Sequence, residues 1–254
     1  MNYLFFTTLV FFLMFNHGIN GQNEQLFVEY DFNFYQHTGQ FTIESVSDAN
    51  TNLQTIVRNY NLQTAPGVVE NIIEKKFIYK DIPNNSMTYQ EIEPEAIVHE
   101  NLNLMEWELT GETIEVMGYQ CNEAKVSFRG RDYIAYFTTD VPYKVSPWKF
   151  HGLPGVVLKI YTDDGKLKIT AKSLKTGKKI KTIINPFKDK KSISFEEFKE
   201  FYTLEQNKTV SAYNALNAKG GPQINFYGGG IELITELEII GDQLYDANMK
   251  KVKQ

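Results

Sequence analysis

The chain has one cysteine, four histidines and no excess of basic side chains. A lone thiol, Cys121, cannot form a disulfide within the chain, so stability has to come from the core. Cys121 reads as a small buried hydrophobe, since a reactive thiol needs a base or cation beside it. His17, His37, His99 and His151 are far apart and lack partners at zinc-site spacing, which removes a sequence-local metal site. A net charge of −5 argues against nucleic-acid binding, which calls for a basic excess. No serine sits between glycines as in a nucleophile elbow, and no phosphate-loop lysine and serine occur at the required spacing. Nothing in the sequence asks for a cofactor. Repeats, low-complexity tracts and proline-rich linkers are also missing.

Long apolar runs are missing too, with one exception. Leu4 to Phe15 is apolar apart from two threonines, and no charged side chain precedes Glu24. A dozen residues fall short of the roughly 20 needed to span a bilayer. The run fits the hydrophobic part of a secretory signal peptide, with cleavage near Gly21 or Gln22. An uncleaved anchor is the alternative. No cysteine follows the run, so a lipid-modified amino terminus is not expected. The reading is a leader over 1–21 and one antiparallel β-rich domain over 22–254, exported to the periplasm or beyond, with no transmembrane segment after cleavage.

Aromatics are what the chain has in quantity, with 18 Phe, 15 Tyr and 2 Trp. Many fall on a period of two. Val28, Tyr30, Phe32 and Phe34 alternate with polar residues, the mark of a half-buried strand. Phe77 and Tyr79 repeat the pattern before a Pro83-Asn-Asn break. Trp107 to Val116 reads as a hairpin interrupted at Thr110-Gly111, and Ala124 to Phe137 as a second one with a four-residue loop, Arg129-Gly-Arg-Asp132. Asp164-Gly165 marks a third turn, whose pattern sets Ile160 opposite Ile169, Leu158 opposite Ala171, Tyr161 opposite Lys168 and Lys159 opposite Thr170. Ser194-Phe-Glu-Glu197 is a capping box opening a helix with Phe195, Phe198, Phe201 and Tyr202 on one face. Asn52 to Tyr60 is a second, weaker helix candidate, and residues 222–254 are compatible with strand or helix. The expected fold is mainly β: a curved antiparallel sheet or open half-barrel with one or two packed helices.

Pro147-Trp-Lys-Phe-His-Gly-Leu-Pro-Gly155 is the densest stretch. Pro154 fixes its own φ and extends Leu153, while Gly152 and Gly155 permit positive φ or close backbone approach. The segment reads as a rigid bend that aims Val156 into its strand. Its alternative is a ligand mouth or partner surface, because loops carry function disproportionately. Trp148, Phe150, Gly152, Pro154 and Gly155 are therefore candidate binding residues. Arg129 and Arg131 join them as two guanidinium forks that could hold a carboxylate or phosphate, or else bridge to a neighbouring loop. The acids from Glu91 to Glu108 read as a solvated strand face, and the lysines from Lys166 to Lys191 as a solvated face or a patch for an anionic partner.

With these residues laid out, the chain resembles the GLPGLI family of exported Bacteroidetes proteins. The resemblance rests on Gly152-Leu-Pro-Gly-Val-Val157 together with Gly118-Tyr-Gln-Cys121, Ala124, Phe128-Arg-Gly-Arg131, Tyr133, Ala135, Phe137-Thr-Thr-Asp140, Pro142 and Pro147-Trp-Lys-Phe150. Val156-Val157 replaces the leucine-isoleucine of the family name, and Ser146 stands where a glycine is usual. The resemblance implies export and brings no assigned activity. A lipoprotein-carrier-like architecture is the analogy it suggests. Three functions stay open: a non-enzymatic envelope protein binding an apolar ligand or an envelope protein, a partner of outer-membrane machinery, and a hydrolase built on scattered acids and histidines. No catalytic residue and no metal ligand is named.

Overall fold

The computed structural model describes residues 24–34, 39–92, 94–178, 182–216, 237–240 and 243–246. The expected leader, its cleavage zone and His37 lie outside these residues. The strands are β1 (Glu24–Phe34), β2 (Gln40–Ser47), β3 (Thr51–Ala65), β4 (Val68–Asp81), β5 (Ser86–Ile92), β6 (Glu95–Asn101), β7 (Glu108–Val116), β8 (Tyr119–Phe128), β9 (Arg131–Thr138), β10 (Val156–Thr162), β11 (Leu167–Lys178) and β12 (Ile193–Ser194). They form one 12-stranded sheet in the order β12-β6-β5-β4-β3-β2-β1-β11-β10-β9-β8-β7. Every pairing is antiparallel except β12 with β6. Helix α1 (Phe195–Leu216) follows β12 directly, and β13 (Leu237–Ile240) and β14 (Gln243–Asp246) pair with each other. The sheet is mainly β, curved and not closed into a barrel, as the alternation predicts.

Curvature brings distant strands together. The β8–β9 turn lies near one end of the strand order and β6 near the other, yet Arg129 Nη2 and Glu100 Oε2 are 2.5 Å apart. The core fills the inside of that curve. Leu26, Val28, Tyr30, Phe32 and Phe34 of β1 are buried there with Ile160, Leu167 and Ile169 of the β10–β11 hairpin. Three of the four expected pairs of that hairpin, Lys159–Thr170, Ile160–Ile169 and Tyr161–Lys168, are present. Leu158 falls at an irregularity in the pairing of β10 with β9, and Val156, Val157 and Leu158 are all fully buried.

The capping box is formed. The Glu197 amide donates to Ser194 Oγ over 3.2 Å and the Ser194 amide donates to Glu197 Oε2 over 2.7 Å. Phe198 is buried and Phe195 and Tyr202 pack beside it, whereas Phe201 lies off that face and is exposed.

Four readings of the sequence are corrected. Asn52 to Tyr60 is part of β3, because the residues it sends inward, Asn52 and Gln54, are polar and mask the period of two. Trp107 to Val116 is no hairpin: β7 is one strand with an irregularity between Leu109 and Thr113, and Gly111 sits there at φ 83°. The turn comes later, at Met117-Gly118. The loop after β8 has two residues and not four, since Phe128 pairs with Arg131 and both Arg129 and Gly130 have positive φ. In β4 the inward residues are Ile78 and Lys80, with Phe77 and Tyr79 half-buried on the opposite face.

Candidate functional site

The segment between β9 and β10 folds into the curve of the sheet. Val145 pairs with Val156: the Val145 amide donates to Gly155 O over 3.2 Å and the Val157 amide to Val145 O over 2.8 Å. Gly155 is required by close approach, because a Cβ on it would sit 2.0 Å from the Thr138 carbonyl oxygen. Gly152 is required by conformation, at φ 106° against the Trp107 ring. Trp148 also has positive φ, 53°, a strained backbone for a bulky side chain that its buried surroundings must hold in place. Pro154 is exposed.

Phe150 is the centre. It has no exposed surface and packs on Tyr133 with ring centroids 4.8 Å apart, on Trp148 at 5.1 Å, and on Phe128 and Trp107 at 6.3 Å each. These rings come from β8, β9, the segment itself and the loop before β7. Four aromatic rings thus surround Phe150 inside the curve.

Burying irregular backbone leaves carbonyl oxygens without strand partners, each costing about 1–3 kcal/mol if orphaned. Polar side chains on the inner face of β2 to β4 meet this need. Lys80 Nζ donates to Phe150 O over 2.5 Å and to Ser146 O over 2.9 Å. Gln54 Nε2 donates to the same Ser146 oxygen over 2.9 Å and to Asn52 Oδ1 over 2.7 Å. Asn52 Nδ2 in turn donates to Ser45 Oγ and Ser47 Oγ. Lys80 is 1% exposed, and burial lowers its pKa to about 7. His151 is held at about 4 by burial first, then by Lys80 and Lys144. Trp107 Nε1 donates to the His151 carbonyl over 2.7 Å. Lys149 is 4% exposed, with its Nζ 2.6 Å from Glu91 Oε1 and 4.0 Å from the Tyr89 ring centroid.

The candidate residues thus divide. Trp148, Phe150, Gly152 and Gly155 share one packed segment. Arg129 and Arg131 stand on the β8–β9 hairpin: Arg129 pairs with Glu100 and lies 3.5 Å over the Phe195 ring, fixing α1 to the turn, while Arg131 reaches Asp164 of the next turn over 2.9 Å. Glu91 and Glu100, read as solvated acids, are the ion-pair partners of Lys149 and Arg129. Lys172 of the lysine-rich hairpin faces Glu29 and Asp31 of β1, which offsets its charge. His99 Nδ1 lies 3.0 Å from Thr88 Oγ1. Cys121 is fully buried, its thiol pushed up to about 11 by burial. Lys80, Gln54, Asn52 and Lys149 went unmarked in the sequence. The signal for Lys80 was its place two residues from Ile78, on the inward phase of a strand.

Residues 84–199 match the family described as "N-glycanase peptide, N-terminal domain". That span holds the whole packed segment and the β8–β9 hairpin. Among solved structures, PNGF-II in space group P21 is 17% identical with a TM-score of 0.50, covering 72% of this chain and 34% of that one. PNGF-II in space group C2 is 19% identical with a TM-score of 0.47, covering 67% and 31%. The likeness to the P21 structure is one of fold, and the chain spans about a third of the length of both structures. No curated protein sequence matches the chain.

Proposed function

We propose that the chain is an exported, non-catalytic recognition module that contacts an envelope protein and does not carry a lipid in its curve. The observation that carries this reading is the environment of Phe150, fully buried among four aromatic rings with its carbonyl held by Lys80. A carrier would keep that volume for its cargo. The match to an N-glycanase amino-terminal domain supports a module whose counterparts are joined to further chain, and the resemblance to the GLPGLI family over roughly 115–175 supports export. A hydrolase built on histidine gains no support from His99, whose Nδ1 lies within hydrogen-bond distance of Thr88 Oγ1.

The test is purification from the producing cells, followed by denaturing lipid extraction with mass spectrometry, a deglycosylation assay and cross-linking in intact cells. The expected result is no retained amphiphile, no released glycan and a cross-linked envelope protein. An amphiphile retained in equal amount with the chain would overturn the reading, and so would glycan release.

A further inference from the structure

The long β3–β4 hairpin outruns its neighbours. β2 stops pairing with β3 at Asn59, and β5 pairs with β4 only from Ile78. Between these limits residues 60–73 form a two-stranded arm around the Pro66-Gly67 turn, and no described strand pairs with its outer edges. From Asn59 to Glu74 the only charged side chains are Glu70 and Glu74, and Glu74 is already bonded to Arg58 and Tyr60. The arm exposes Val69 at 63%, Ile73 at 59%, Val68 at 47% and Leu62 at 45%.

A free strand edge that exposes this much apolar surface is what proteins in water avoid. The edges of the main sheet obey that rule. β7 carries Glu108, Glu112 and Glu115 and an irregular pairing, and β12 has two residues and leads straight into α1. The arm differs in exposing Leu62, Val68, Val69 and Ile73 together on strands whose outer edges no described strand covers.

We propose that the free edge of β4 pairs antiparallel with the same edge of a second copy, about a two-fold axis at Asn71. The pairing with β3 sets Val69, Asn71 and Ile73 on one face, opposite Gln63, Asn61 and Asn59. Val69 and Ile73 flank Asn71 symmetrically. Antiparallel partners share a face, so an axis at Asn71 sets Val69 of each copy against Ile73 of the other and Asn71 against itself. On the opposite face Glu70 meets Ile72 and Val68 meets Glu74, so no like charges stand directly opposed. The paired stretch, 68–74, stays clear of Ile78, where β5 begins to occupy the edge. A second copy therefore supplies two things the arm does not get from the described residues, a strand for its backbone and apolar partners for its most exposed side chains. Such a short contact lies below the roughly 1,200 Å² of a standard interface, so the dimer is expected in the micromolar range. The inference is independent of the proposed function.

Sedimentation of the purified chain up to about 200 µM is the test. The wild type should show a reversible monomer–dimer equilibrium, and Val69→Lys with Ile73→Lys should weaken it at least tenfold with an unchanged circular dichroism spectrum. Asn71→Cys should form an intermolecular disulfide, because directly opposed strand residues bring Cα atoms within bonding reach and the native Cys121 is buried. A wild type that stays monomeric over this range overturns the proposal, including the case in which the edge takes a strand from another protein. So does a dimer indifferent to the double lysine variant, or Leu62→Cys cross-linking faster than Asn71→Cys.

Discussion

Lys80 Nζ donates to the Phe150 carbonyl oxygen over 2.5 Å, joining β4 to the segment that fills the curve of the sheet. A buried cation meets a buried carbonyl, and the arrangement has a pH signature. The folded pKa of about 7 lies below the ordinary lysine value of 10.5. Between these values the unfolded chain holds a proton that the folded chain lacks, so raising the pH favours folding. Denaturant midpoints should climb from pH 7 to pH 9, and in Lys80→Met the climb should vanish. A climb that persists in the variant would remove Lys80 as its source.

His151 works in a lower window. Its folded pKa of about 4 lies below the ordinary 6.5, so stability rises with pH between those values and is lost as pH falls through them. Chemical-shift titration of the His151 ring should give a midpoint near 4. A midpoint near 6.5 would mean that the segment is open to water.

Gly155 faces the Thr138 carbonyl with no room for a side chain. Gly155→Val should abolish cooperative unfolding or soluble yield, a loss above about 4 kcal/mol. Gly177→Ala, with open space around it, should change stability by about 0.5 kcal/mol or less. Comparable behaviour of the two variants would separate the bend from folding.

Arg129 and Glu100 are each 8% exposed and close the curve of the sheet. Removing one partner strands the other charge, so Arg129→Met should cost about 3–5 kcal/mol. Arg129→Met with Glu100→Met should cost much less than the sum of the single changes, measured by a double-mutant cycle in denaturant. Additive losses would show that the two charges do not interact.

Much of the scaffold was legible in the chain because it is local. Asp164-Gly165 and the residues either side specify a turn and a register together, and Ser194 with Glu197 specifies a helix start. The alternation in β1 names its buried face without reference to any other strand. Legibility failed where polar residues point inward. Asn52, Gln54 and Lys80 broke the apolar period, so β3 resembled a helix and β4 was read in the wrong phase. The β7 irregularity was missed because Thr-Gly serves a bulge as well as a turn.

By itself the sequence determined a β-rich chain, the register of the β10–β11 hairpin, a helix start and a stiff bend at Gly152 to Gly155. These follow from steric limits and side-chain periods over a few residues. Only the tertiary structure decided that the bend turns inward and that a lysine 66 residues earlier holds the Ser146 carbonyl. It also decided that Arg129 finds Glu100 and that no described strand covers the outer edges of the β3–β4 arm. Each depends on how far the sheet curves, a sum of small twists over 12 strands that no local pattern records.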